Sequence, residues 1–157
     1  MEKNNFHTVR GYEVLLKNKN LLTSSMEDYL EMIYRIQKEK GLVRVKTLAE
    51  KLNVRDSSVT KMVQKLGSIN LINYEKYGIV KLTEEGEQIG EYLLKRHIIV
   101  EEFLKVITND EIKLMDVEMI EHNLDPKLLE HLNQLILFFE NNPDVKERFS
   151  EFKRKNK

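Results

Sequence analysis

Between residues 43 and 82, two helical patterns and two β-prone runs follow one another with little connecting chain. The first pattern, in VRVKTLAEKL, predicts a short helix around residues 47–52 that carries the small Ala49. A turn at Asn53-Val54 leads to a second helix from Asp56 or Ser57 to Leu66, with Val59, Met62, Val63 and Leu66 at the spacing of one inward face. A small residue in the first helix, a brief turn and a second helix rich in Ser, Thr, Lys and Gln make the plan of a helix-turn-helix. Residues 71–74 and 79–82 then flank Glu75-Lys76-Tyr77-Gly78, which reads as a hairpin. Directly after the second helix, such a hairpin is a wing.

The remaining pattern is helical. Ser24 and Glu27 have capping-box spacing, and Met26, Tyr29, Leu30, Ile33 and Ile36 follow at helical intervals up to Gly41. Thr83 is placed to cap a long helix that carries Ile89, Tyr92, Leu93, Ile99, Val100, Phe103 and Leu104 and runs to about Ile107. Further helices are expected over residues 110–123, 126–140 and 143–155, the last two opened by Asp125-Pro126 and Asn142-Pro143. Residues 1–20 are largely polar, with a short apolar patch at Tyr12, Val14, Leu15 and Leu16, and read as a loosely ordered extension with room for one short helix. The organisation expected is an extension over 1–22, a winged helix-turn-helix over 23–90 and a helical unit over 91–157. The break falls inside the long helix, so the two parts are mechanically coupled.

Charge and composition narrow the chemistry. The 26 basic and 26 acidic residues cancel overall, yet residues 40–65 carry seven bases (Lys40, Arg44, Lys46, Lys51, Arg55, Lys61, Lys65) against Glu50 and Asp56. That local excess is either a solvated face or a surface for phosphates. There is no Cys, which excludes disulfides, thiolate metal sites and Cys nucleophiles. No apolar run is long enough to span a membrane and the N-terminus has no signal-peptide pattern, so a cytoplasmic protein is expected. A phosphate-binding glycine loop, a Gly-x-Ser-x-Gly elbow and a His-Glu-x-x-His motif are all missing, and nothing in the sequence asks for an enzyme.

Three acid and imidazole groups stand out. Asp28 and Glu31 are neighbours on one face of the first helix, away from its apolar stripe. Glu118, Glu121 and His122 fall within an arc of about 100° on a helix otherwise largely apolar. Two carboxylates and an imidazole on a buried-looking helix are costly unless paired or bound to a metal; a metal site and a hydrogen-bonded polar patch are both open readings. His97 lies inside the long helix, while His7 and His131 have no acidic cluster around them. Oxygen-rich sites with one or two imidazoles and no sulfur suit Mn²⁺ or Fe²⁺, and also take Co²⁺ or Zn²⁺.

Ser25-Met-Glu-Asp-Tyr-Leu-Glu-Met-Ile-Tyr34, Ser57-Ser-Val-Thr-Lys-Met-Val-Gln-Lys-Leu66, Tyr74-Glu-Lys-Tyr77, Arg96-His97 and Asp116-Val-Glu-Met-Ile-Glu-His122 together resemble the manganese-sensing branch of the diphtheria-toxin-repressor family, in the same order over about residues 23–142. The resemblance implies a mostly α protein: a winged helix-turn-helix with a small β-hairpin wing, joined to an α-helical dimerisation domain. It implies a metal-dependent repressor of manganese-uptake genes, with Mn²⁺ as corepressor and two ions per subunit. The ligands it implies are Asp28, Glu31, His97, Glu118, Glu121 and His122. The iron-sensing branch uses Met and Cys where Asp28 and Glu121 stand here. The partners implied are a second copy of the chain, whose apolar Leu128, Leu129, Leu132, Leu135, Ile136 and Phe139 exceed what one helical layer needs, and a pseudo-palindromic double-stranded operator, with no membrane. Ser57, Ser58, Thr60, Lys61, Gln64 and Lys65 are expected to face the major groove, and Lys76 and Tyr77 to approach phosphates or the minor groove.

Overall fold

The computed structural model describes residues 11–15, 21–108 and 111–156. It divides into two compact units, Met1–Leu94 and Lys95–Lys157.

In the first unit, α1 (Ser24–Lys40) is capped by Thr23, whose hydroxyl accepts from the Met26 amide at 3.3 Å. Both Thr23 and Ser24 can cap; the expected cap Ser24 is instead the first helical residue. Leu30, Ile33 and Ile36 recur on the inner face of α1 and are fully buried. A two-residue strand, β1 (Val43–Arg44), precedes α2 (Val45–Leu52), so that helix starts earlier than its sequence pattern indicates. Asn53 takes the left-handed conformation (φ 52°), and the Val54 amide returns to Ala49 O at 3.0 Å, which makes the tight turn into α3 (Asp56–Ser68). Val59, Val63 and Leu66 of α3 are completely buried with Leu48 of α2.

β2 (Ile72–Tyr74) and β3 (Ile79–Leu82) form the expected hairpin, and β1 adds to the far edge of β3 to give the antiparallel order β1-β3-β2. The register pairs Val43 with Val80 and Ile72 with Leu82. The tip, Lys76–Gly78, is one 3₁₀ turn in which Tyr77 has φ 63°, a conformation that non-glycine residues seldom adopt. The Tyr77 side chain is 87% exposed.

α4 (Glu84–Ile107) is opened by Thr83, whose hydroxyl accepts from the Gly86 amide at 3.1 Å. The boundary between the two units lies within this helix. Its first turns are seated closely: a Cβ on Gly86 would come within 1.9 Å of the Leu71 carbonyl oxygen. Of the N-terminal extension, residues 11–15 are helical, with Val14 and Leu15 buried and the Tyr12 ring 5.7 Å from that of Tyr92. This short helix is therefore packed rather than loose; residues 1–10, with His7, and 16–20 lie outside the described residues.

In the second unit, α5 (Leu114–Glu121) is shorter than expected over residues 110–123, and the Asp116 carboxylate accepts from the Lys113 amide at its start. α6 (Pro126–Asn141) is capped as expected by Asp125, which accepts from Leu128 N at 2.8 Å. α7 (Pro143–Lys155) follows with Asn142 at its N-cap position as expected, but the Asn142 side chain makes no capping hydrogen bond; its amide donates backwards to Phe138 O at 2.7 Å. Phe139 bridges Phe138 and Phe149 at 5.8 and 5.5 Å. Lys153 lies over the Phe149 ring and donates to Val106 O at 3.1 Å, which satisfies one of the terminal carbonyls of α4.

The apolar surface of α5 is not buried. Leu114, Met115 and Met119 are 62%, 68% and 72% exposed, and only Val117 and Glu121 of that helix are buried. Leu128, Leu135, Leu137 and Phe138 of α6 are open as well. Helical periodicity identifies an apolar face but does not say whether the same chain covers it. Among the described residues, no helix is long and apolar enough to cross a membrane.

Candidate metal centre

α1 carries the two acids expected from sequence. Their i, i+3 spacing sets Asp28 and Glu31 on one face, Asp28 half-buried and Glu31 buried. One turn further on, Arg35 Nη2 donates to Glu31 Oε1 at 2.6 Å.

In the second unit, His97 of α4 meets Glu121 of α5. Nδ1 of His97 is 3.3 Å from each Glu121 carboxylate oxygen, with hydrogen-bond geometry only toward Oε1. A carboxylate accepts and does not donate, so the proton of this contact is on Nδ1 of His97. The Glu121 side chain is 2% exposed and that of His97 12%. Oε2 of Glu121 is buried and makes no hydrogen bond. A buried carboxylate oxygen left in that condition is costly, and a cation is the partner that satisfies it best.

His122 follows Glu121 as the C-cap of α5, and its Nδ1 is 3.2 Å from Nη2 of the buried Arg96. A guanidinium only donates, so Nδ1 of His122 accepts. Glu118 is half-buried, one turn before Glu121 or His122 on the same helix. Carboxylate and imidazole donors with an unmet buried oxygen and no sulfur fit a hard or borderline divalent ion such as Mn²⁺. Sequence reasoning missed the two guanidiniums as neighbours of these groups. For Arg35 the signal was available, since it stands four residues after Glu31; Arg96–His122 is a contact between two helices, which spacing does not show.

The basic surface lies on the first unit. Ser57, Ser58, Lys61, Gln64 and Lys65 are exposed along α3, opposite the buried Val59 and Val63. Thr60 is half-buried, and its hydroxyl donates to Asp56 O at 2.9 Å, so it is already engaged within the helix. Lys76 and Tyr77 are exposed at the wing tip.

Comparison with known proteins agrees with both halves. Residues 21–80 match the family model "Iron dependent repressor, N-terminal DNA binding domain". Residues 83–150 match "Iron dependent repressor, metal binding and dimerisation domain". The chain is 44% identical over 137 residues to the HTH-type transcriptional regulator MntR of Bacillus pumilus, covering 87% of this chain and 95% of that protein. It is 43% identical over 136 residues to the protein of the same name from Bacillus velezensis, covering 86% and 96%. A solved structure of the manganese regulator SloR is similar with a TM-score of 0.64 at 28% identity, over 74% of this chain and 55% of that one, so this chain spans about half of its length.

Proposed function

This chain belongs to the iron-dependent repressor family, and on that basis we propose that it represses manganese-uptake genes when Mn²⁺ occupies a centre formed by Asp28, Glu31, His97, Glu118, Glu121 and His122. It is a DNA-binding transcriptional regulator and not an enzyme, as its two family domains and its relatives of that name establish. The observation that carries the metal assignment is the buried His97–Glu121 pair with its unsatisfied Oε2. Carboxylates at positions 28 and 121, and no sulfur donor, favour Mn²⁺, with Fe²⁺, Co²⁺ and Zn²⁺ as substitutes. The carboxylates of Asp28, Glu31, Glu118 and Glu121 would together balance the charge of two divalent ions.

A bound cation supplies the positive charge that lets these acids share one site. The protein's own residues do the rest. Asp28 and Glu31 sit on the helix that precedes the helix-turn-helix, and His97 on the helix that runs on from the wing. The four acids repel one another, so the metal-free protein disfavours the arrangement that gathers them. A filled centre would favour that arrangement, and with it one spacing of the two subunits' recognition helices, to match operator half-sites. The open apolar side chains of α5 and α6 supply the surface for the second subunit. The working place of such a regulator is the cytoplasm.

The exposed side chains of α3 read the major groove, and Lys76 and Tyr77 of the wing approach the backbone or the minor groove. Lys61→Ala is expected to weaken binding to all sequences alike and to reduce the slope of log affinity against log salt by about 1. An unchanged slope in a salt titration removes Lys61 from the phosphate contacts. The test of the whole reading is fluorescence anisotropy with a manganese-transporter promoter fragment. Binding is expected with Mn²⁺ and lost on adding EDTA; affinity indifferent to EDTA refutes the metal role.

A further inference from the structure

The contact between Arg35 and Glu31 places a positive charge on a candidate metal ligand. The two residues stand one turn apart on α1, with Nη2 of Arg35 donating to Oε1 of Glu31 at 2.6 Å, at the short end for a charge-assisted bond. The Glu31 side chain is 11% exposed and that of Arg35 35%, so one partner is shielded from water and the other has a way out to it. Nε of Arg35 is buried and makes no hydrogen bond. A guanidinium that gives up one hydrogen bond to reach a carboxylate is held there by charge.

We infer that Arg35 is a resident cation of the metal centre, which occupies the Glu31 carboxylate in the metal-free protein and so lowers the affinity for the divalent ion that arrives there. The inference rests on Glu31 being a metal ligand. A guanidinium and a divalent ion seek the same oxygens and repel each other, so the ion either displaces Arg35 or shares the carboxylate with it, and both reduce the gain from binding. The alternative is that Arg35 only orients Glu31 for the metal, as hydrogen-bond partners of ligating carboxylates do. Orientation needs a donor but no net charge, and a neutral donor would achieve it without placing a positive charge beside a cation. Arg35 is thus a positioning residue whose charge sets the Mn²⁺ concentration at which the regulator responds.

The test is a titration of the purified full-length protein with Mn²⁺, without DNA, following the free aqueous ion by electron paramagnetic resonance. Arg35→Met, or Arg35→Gln should the first variant fold poorly by circular dichroism, is expected to bind Mn²⁺ about tenfold more tightly than the wild type. Arg35→Lys keeps the charge and is expected to stay near the wild-type affinity. Unchanged or weaker binding by the neutral variants overturns the inference, as does equal tightening by Arg35→Lys. Glu31→Gln separates this outcome from failure of the underlying site. If Glu31→Gln loses Mn²⁺ while the neutral Arg35 variants do not gain, the site stands and the role of Arg35 falls. If Glu31→Gln binds Mn²⁺ as the wild type does, Glu31 is no ligand and both fall.

Discussion

Glu121→Gln is expected to abolish Mn²⁺-dependent operator binding while leaving a folded protein whose metal-free melting temperature is unchanged or higher. The substitution keeps the shape of the side chain and replaces an anionic donor with a neutral amide. Glu121 is the most completely buried of the six candidate ligands, and its Oε2 has no hydrogen bond to lose. The amide can still make a hydrogen bond with Nδ1 of His97, so the metal-free fold keeps its contact and is relieved of a buried carboxylate. Metal affinity should fall by more than about a hundredfold, since loss of mere supporting partners already costs 10–100-fold. Parallel measurements of Mn²⁺ affinity, operator affinity and thermal unfolding check this. A variant that still binds its operator only with Mn²⁺, at wild-type metal affinity, shows that the site has been misassigned. Glu118→Ala is expected to lose the same response with the dimer intact, which sedimentation would show.

Gly86→Ala should cost the DNA-binding unit a large part of its stability with or without metal. A methyl group there would stand 1.9 Å from the Leu71 carbonyl oxygen and 2.9 Å from its carbon, and both atoms are backbone. Leu71 has little freedom to retreat. Its side chain is fully buried, and the same oxygen accepts from the Thr83 amide at 3.0 Å. Making room means moving α4 away from the segment that leads into the hairpin and stretching that bond. Overpacking and a weakened buried hydrogen bond together cost about 2–4 kcal/mol, against about 1 kcal/mol gained from the better helix propensity of Ala. For a unit of this size the net loss lowers the melting temperature by roughly 5–20 °C. A shift under about 2 °C in a circular dichroism melt would mean that the contact yields easily.

The features written locally in the chain were the legible ones. The helix-turn-helix follows from the apolar spacing of Val59, Val63 and Leu66, the hairpin from its Gly-containing tip, and two helix starts from Thr83 and Asp125. What escaped depends on partners far along the chain. The two residues of β1 are too few to carry an alternation pattern, and they are a strand because Ile79 and Val80 lie beside them. Thr23 and Ser24 offer the same hydroxyl to the same helix start, and only the backbone geometry chooses between them. The acids and imidazoles proposed as ligands stand out in the sequence because few other residue types could serve, whereas the pairing of Arg96 with His122 depends on how two helices meet. The apolar stripe of α5 looked buried because periodicity is blind to what covers a face.

That open stripe has a consequence for gene dosage. On the proposed pairing, Met115 and Met119 on α5, with Leu135 and Phe138 on α6, leave water when a second copy arrives, and part of the folding free energy of this half is then supplied by association. Its melting temperature should therefore climb with protein concentration, whereas that of an independent monomer would stay fixed. In a cell the number of copies then enters the response alongside the number of metal ions. A cell with few copies holds more lone subunits, and each of these presents a single recognition helix to an operator built for two.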